Sequence, residues 1–250
     1  MELKGAVAIV TGGSGGLGGR ICWALAAAGC NVAPTYNSNK EHADAVVGEV
    51  RKEFGVEAEA VRCDVTDPIQ VGSTVSQVLE RFGRVDILVN DAGYNKWIPF
   101  SDLDALTHEE WNKILDINLT GPMHFIKAVA GPMVERGGGR IVNIGSVAGL
   151  GPTGSSIPYA VSKAGLMHLT KCMSVALAPD VLVNCVAPGY LEGTRMSSNL
   201  APEYRERAKQ GALLKRAADK DDVAAQVVEF CRTDSVTGQT LVVDSGRVFH

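Results

Sequence analysis

The chain alternates between short apolar runs rich in β-branched residues and longer amphipathic stretches. The runs at residues 7–10, 31–33, 59–61, 85–89, 140–144, 181–183 and 240–243 read as strands. Most are continuous in hydrophobicity rather than alternating, the pattern of strands covered on both faces, as in a parallel sheet with crossover helices. The stretches at residues 17–28, 40–54, 69–82, 109–136, 159–178 and 220–231 have helical composition, and Gly29, Gly55 and Gly83 stand where helices stop. Asp67 and Pro68 supply a cap and then a proline at the first helical position. This repeated alternation predicts an α/β, doubly wound domain with a parallel sheet of about seven strands and helices on both faces. Residues 190–216 break the rhythm with a polar, charged excursion that is expected to form a lid over a substrate. No Pro/Gly/Ser-rich linker divides the chain, so residues 1–250 are expected to form one domain.

Composition narrows the picture. With 46% hydrophobic and 21% charged residues the chain has the make-up of a folded globule rather than a disordered segment. Its net charge of -4 offers no basic field for nucleic acid, which is excluded as a partner. The first apolar run is too short for a signal peptide, and no run of membrane-spanning length follows, so a cytoplasmic protein without membrane attachment is expected. The six cysteines contain no C-x-x-C pair; they read as reduced thiols, with Cys22, Cys172 and Cys185 in the core, and no metal site is expected.

Candidate chemistry begins after the first strand. Residues 11–18 spell T-G-G-S-G-G-L-G, with glycine at five of the seven positions from Gly12 to Gly18. Glycines there let the backbone turn sharply and approach a pyrophosphate, while a helix N-terminus offers unpaired N–H groups. The same letters contain G-x-S-x-G around Ser14, the nucleophile elbow of serine hydrolases. The oxyanion loop of that fold precedes its elbow, yet only ten residues precede Thr11. A phosphate cradle is the better reading. An NAD site would place Asp or Glu about 20 residues on, to hold the ribose hydroxyls. None occurs from Ile21 to Lys40, and Tyr36, Asn37 and Ser38 with nearby Lys40 favour NADP(H) modestly over NAD(H).

Tyr159 and Lys163 lie four residues apart on a predicted helix and so share one face. A phenol is a poor acid or base near neutrality, and an adjacent cation stabilises its phenolate. Ser146 stands just past the fifth strand, where open α/β sheets bind ligands. Asn118 is an amide inside a predicted helix, where it has low intrinsic preference.

On these segments, with Cys63-Asp64-Val65, Asn90-Asp91-Ala92-Gly93, Pro188-Gly189 and Thr237-Gly238-Gln239, the chain resembles the short-chain dehydrogenase/reductase family along nearly its whole length. Within that family it resembles the 3-oxoacyl-carrier-protein reductase and ketoreductase branch. The resemblance implies a single Rossmann domain that binds NAD(P)(H) and interconverts a ketone and a secondary alcohol by hydride transfer. It implies Tyr159 as general acid/base, Ser146 as a hydrogen-bond partner of the substrate, Lys163 on the nicotinamide ribose lowering the tyrosine pKa, and Asn118 holding a relay water. Cofactor contacts are implied for Gly12, Ser14, Gly15, Gly16, Leu17, Gly18, Tyr36, Asn37 and Ser38. They are implied also for Asp64, Val65, Asn90, Ala92, Gly93, Tyr159, Lys163, Pro188, Gly189, Leu191 and Thr194. On the residues alone, Asp64 could instead be a turn residue and Asn90 an amide fixing neighbouring strands. Three departures from the family pattern stand out. Asp91 replaces a usual asparagine, Gly15 replaces a residue often basic in NADP-preferring relatives, and Asp244-Ser245-Gly246 replaces D-G-G.

Trp97, Leu150, Ile157, Tyr190 and Met196 are candidates for an apolar substrate pocket suited to a medium-sized small-molecule ketone. Two other functions are weighed against this: reduction of 3-oxoacyl thioesters on a carrier protein, and non-catalytic dinucleotide sensing, against which the four candidate catalytic residues argue. A carrier protein would favour a basic entrance, for which Arg205, Arg207 and Lys209 are the candidates, although a solvated helix face explains them better. The helix at residues 159–178 carries more apolar surface than one stripe requires, so another subunit should cover its outer face. The resemblance implies a homotetramer.

Overall fold

The computed structural model describes residues 1–249. Seven strands form one sheet: β1 (Val7–Thr11), β2 (Asn31–Tyr36), β3 (Val61–Arg62), β4 (Ile87–Asn90), β5 (Gly139–Ile144), β6 (Val181–Pro188) and β7 (Thr240–Val243). Their order is β3-β2-β1-β4-β5-β6-β7, and every pairing is parallel. The strand order reverses between β1 and β4, which opens a crevice at their carboxyl ends.

The doubly wound expectation holds, with shifts at the edges. β3 is Val61–Arg62 rather than residues 59–61, since Ala58 makes only an isolated bridge to Val32. β4 begins at Ile87 because Asp86 is drawn into polar bonds, accepting from the Val7 amide at 2.8 Å and from the Arg84 guanidinium.

Helices cover both faces. On one side α1 (Gly16–Ala27), α2 (Lys40–Phe54) and α9 (Lys220–Arg232) bury Ile21, Leu25, Val50 and Val227 against Val10 and Val89. On the other, α3 (Pro68–Phe82), α5 (Gly121–Glu135) and α6 (Ile157–Ala176) bury Val75, Phe125, Ile126 and Leu169 against Ile9, Leu88 and Ile141. Asp67 caps α3 by accepting from the Ile69 amide at 2.9 Å, with Pro68 at its start, as the sequence predicts.

The single helix expected at residues 109–136 is three segments: α4 (His108–Leu115), a π-helical turn (Asp116–Thr120) and α5. Pro122 has no N–H to give the Asn118 carbonyl, so the ladder widens there. Cys172 is exposed rather than in the core, because α6 turns Leu166, Met167 and Thr170 inward instead. The expected lid holds two helices, α7 (Arg195–Ser198) and α8 (Pro202–Gln210), and α7 starts with a capping box between Thr194 and Ser197.

Candidate active site

A cavity of about 870 Å³ opens at the carboxyl ends of the central strands. One end is the glycine loop. Gly12 turns at φ +67, and a Cβ there would stand 2.9 Å from the Ala92 Cα. A Cβ on Gly13 would stand 2.4 Å from the Pro34 Cβ, so only glycine lets the loop after β1 pass this close to β2. Helix α1 then starts at Gly15 with no side-chain cap and no acidic residue in its first turn. The positive end of its dipole and its first N–H groups face the cavity, which suits a pyrophosphate.

Gly12, Ser14, Gly15, Gly16 and Leu17 line the cavity; Gly18 does not, lying behind the turn, where a Cβ would meet the Gly12 carbonyl at 2.4 Å. Beyond the loop the wall continues through Tyr36, Asn37, Ser38, Asp64, Val65, Ala92 and Gly93. Asp64 accepts from the Thr66 hydroxyl at 2.7 Å and from the Asn37 amide at 3.4 Å. Thr66 satisfies one carboxylate oxygen, while the other touches only Asn37, which leaves capacity for an adenine amino group. Lys40 is absent from the wall because its ammonium pairs with Asp44 on the outside of α2 at 2.5 Å. Arg62 is the cation beside this end of the cavity, donating from Nε to the Asn37 carbonyl at 3.3 Å.

Asn90 does not line the cavity. It is buried behind the wall, where its amide donates to Asn143 Oδ1 at 2.8 Å, and Asn143 donates to Thr170 Oγ1 at 3.0 Å. It ties β4 to β5 and α6, the strand-fixing alternative.

The catalytic candidates converge from three elements. Ser146 follows β5 and accepts from the Ala148 amide at 3.1 Å; Tyr159 and Lys163 occupy one face of α6. All three line the cavity. Burial pushes the Tyr159 phenol up to about 12, and the neighbouring Ser146 hydroxyl only partly offsets this. Lys163 is 4% exposed and donates to the Ile144 carbonyl at 2.8 Å. Burial pulls its ammonium down to about 8, with Asp91 acting in the opposite direction. Here burial, rather than Lys163, sets the direction of the tyrosine shift.

Asn118 stands one layer behind. It is 0% exposed, accepts from the Tyr94 amide at 2.8 Å, and donates to the Tyr94 carbonyl at 2.9 Å and to Ser162 Oγ at 3.2 Å. Ser162 in turn donates to the Tyr159 carbonyl at 2.8 Å. The amide therefore joins the loop after β4 to the helix that carries Tyr159.

The far end of the cavity is walled by Pro188, Gly189, Tyr190, Leu191, Thr194, Met196, Leu200 and Tyr204. Thr194 lies in the wall as expected. Trp97, Leu150 and Ile157 do not line it; Trp97 instead packs edge-on against Tyr204 with ring centroids 5.3 Å apart. Tyr94, Tyr204 and Arg247 are wall residues that sequence reasoning missed. Arg205, Arg207 and Lys209 form no common patch. Arg205 donates to the Leu200 carbonyl at 2.8 Å, Lys209 pairs with Glu192 at 3.0 Å, and Arg207 stacks on Tyr204. Among the described residues no cluster of His, Cys, Asp or Glu has metal-binding geometry.

Comparison with known proteins matches this geometry. Residues 6–205 match the family model described as short chain dehydrogenase. The chain is 38% identical over 251 residues to a 3-oxoacyl-[acyl-carrier-protein] reductase of Synechocystis, covering 98% of each chain. A short chain dehydrogenase from Burkholderia cenocepacia, solved in complex with NADP, superposes with a TM-score of 0.90 at 34% identity, covering 99% of both chains. An NAD+-bound xylitol dehydrogenase superposes with a TM-score of 0.89 at 29% identity, covering 98% of this chain and 100% of the other.

Proposed function

The chain belongs to the short-chain dehydrogenase/reductase family, an NAD(P)-binding oxidoreductase fold, and from that premise we propose that it reduces a ketone to a secondary alcohol with Tyr159 as the proton donor. The observation that carries this reading is the meeting of Tyr159, Ser146 and Lys163 in a cavity whose other end is the glycine loop at the start of α1. The nicotinamide group of NAD(P)H supplies the hydride when bound. A phenol pushed up to about 12 keeps its proton at neutral pH but is a weak acid there, so donation depends on the Ser146 hydroxyl and the Lys163 ammonium stabilising the phenolate that forms. Ser146 orients the carbonyl oxygen beside that phenol, and Lys163, fixed by the Ile144 carbonyl, places a cation within reach of a ribose. Asn118 positions the loop after β4 against α6.

NADP(H) is the proposed cofactor. No acidic side chain from the end of β2 lines the cavity, and Arg62, rather than Lys40, supplies the neighbouring positive charge. The wall of Tyr190, Met196, Leu200 and Tyr204 suits a medium-sized ketone, and reduction of 3-oxoacyl thioesters is the second reading, favoured by the similarity to a reductase of that name. The functional unit is proposed to be one domain over residues 1–250 with residues 190–216 as its lid, assembled as a homotetramer. The outer face of α6 supports this, with Val161 and Val175 exposed. A cytoplasmic setting suits the six free cysteines, and among the described residues no helix is long and apolar enough to cross a membrane.

The test is a ketone panel followed at 340 nm with NADPH and NADH. A higher kcat/KM with NADPH is expected, and Tyr159→Phe should lower turnover by about 10²–10⁴-fold while NADPH affinity changes little. Retention of most activity would overturn the assignment of Tyr159, and a preference for NADH would overturn the cofactor assignment.

A further inference from the structure

The chain beyond β7 is folded back by one carboxylate. Asp244 accepts from the amides of Gly246 at 2.9 Å, Arg247 at 3.1 Å and Val248 at 2.7 Å. The turn also holds Ser245 at φ +60, a conformation disfavoured for residues other than glycine. It is secured from the other side by the Leu213 and Leu214 amides, which donate to the Gly246 and Ser245 carbonyls at 3.1 Å.

This turn brings Arg247 to the cavity wall, with its guanidinium 5.7 Å from the Tyr204 ring centroid. Tyr204 is itself held, by Trp97 edge-on and by a hydroxyl contact with Thr153 at 3.3 Å. Arg247 has no ion-pair partner among the described residues. A guanidinium stacked on an aromatic face keeps its N–H edge available, and that edge matches the two oxygens of a carboxylate or phosphate.

We propose that Arg247 is the anchor for an anionic group, a carboxylate or a phosphate, at the end of the substrate remote from the reacting carbonyl. Tyr204 positions the guanidinium, and Asp244 positions the backbone that carries it. The preferred substrates are then oxo acids or phosphate-bearing acyl carriers rather than neutral ketones of the same shape. This rests on the reductase reading above and specifies its substrate class.

The experiment compares kcat/KM within pairs of similar shape that differ in charge, using oxo acids from 3-oxobutanoate to 7-oxooctanoate against their methyl esters. A second set pairs a 3-oxoacyl phosphopantetheine with its pantetheine counterpart. The charged member is expected to be favoured about 10-fold or more in at least one set, and the set that shows it identifies carboxylate or phosphate as the source. In Arg247→Gln the charged-to-neutral ratio should fall to within about twofold of one, with partial recovery in Arg247→Lys. A wild-type ratio near one in both sets, or a ratio that survives Arg247→Gln, overturns the anchor while leaving the reductase reading intact. Absence of turnover with every ketone would instead sink the reductase reading. Calorimetric titration with 5-oxohexanoate then decides the anchor alone. At least fivefold weaker binding to Arg247→Gln supports it, and equal or absent binding in both proteins overturns it.

Discussion

Asp91 shows how much a single atom pair changes at the residue scale. Its side chain lies below the glycine loop, with Oδ2 2.8 Å from the place a Gly18 Cβ would take, and burial raises its carboxyl to about 7. The sign of the consequence follows from linkage. Between about pH 4 and 7 the folded chain keeps a proton that the unfolded chain has lost, so stability is greatest below that window and declines as the pH rises through it. Lys163 moderates the effect by favouring the carboxylate. Each unit of difference is worth about 1.4 kcal/mol, and with solvent reaching one side of the group the net effect is about 1–2 kcal/mol. Asp91→Asn should therefore lose about 3–6 °C less in melting temperature between pH 5 and 8 than the wild type, measured by calorimetry in the two buffers. An unchanged slope would place the titration elsewhere. The departure of Asp91 from the family pattern was legible in the sequence, but its pKa was not, because that depends on what α1 and Lys163 bring beside it.

Among the elements, the glycines separate into two kinds that composition cannot distinguish. Gly13 lets the loop after β1 pass Pro34 of β2 at a distance that a Cβ would violate at 2.4 Å, whereas Gly48, exposed in the middle of α2, has nothing within 4 Å. Gly13→Ala should cost about 1–3 kcal/mol and weaken NADPH binding by tenfold or more in a fluorescence titration. Gly48→Ala should stabilise by about 0.5–1 kcal/mol in chemical denaturation, since it only removes backbone entropy from the unfolded chain. The same contrast runs through the helices. Residues 40–54 were read to the residue because Gly55 at φ +66 ends that helix locally. The π-helical turn at Asp116–Thr120 was not read, although Pro122 is its visible signal, because hydrophobic periodicity barely registers one widened turn.

For the whole molecule, the apolar face left over after the sheet is covered argues for assembly. Val175 is 82% exposed on α6, and Val161 on the same helix and Met123 and Val134 on α5 are exposed too. Light scattering at micromolar concentration should give a tetramer mass, and Val175→Glu should shift it toward smaller species while the isolated subunit stays folded. A monomeric wild type would end that proposal.

What the sequence determined by itself is what depends on neighbours along the chain. The strand–helix alternation dictated a doubly wound sheet, five glycines after β1 marked the tight loop that opens the cavity, and a four-residue spacing put Tyr159 and Lys163 on one face. What only the tertiary structure decided depends on neighbours in space. Asn90, Gly18 and Asn118 stand behind the cavity wall because amides and close-packed backbone are needed there to hold strands, loop and helix together. Burial sets the titration of Tyr159, Lys163 and Asp91, and burial belongs to the assembled core rather than to any motif. Arg247 meets Tyr204 because a three-amide turn on Asp244 folds the last segment back toward α8, a contact between distant parts of the chain that no local pattern encodes.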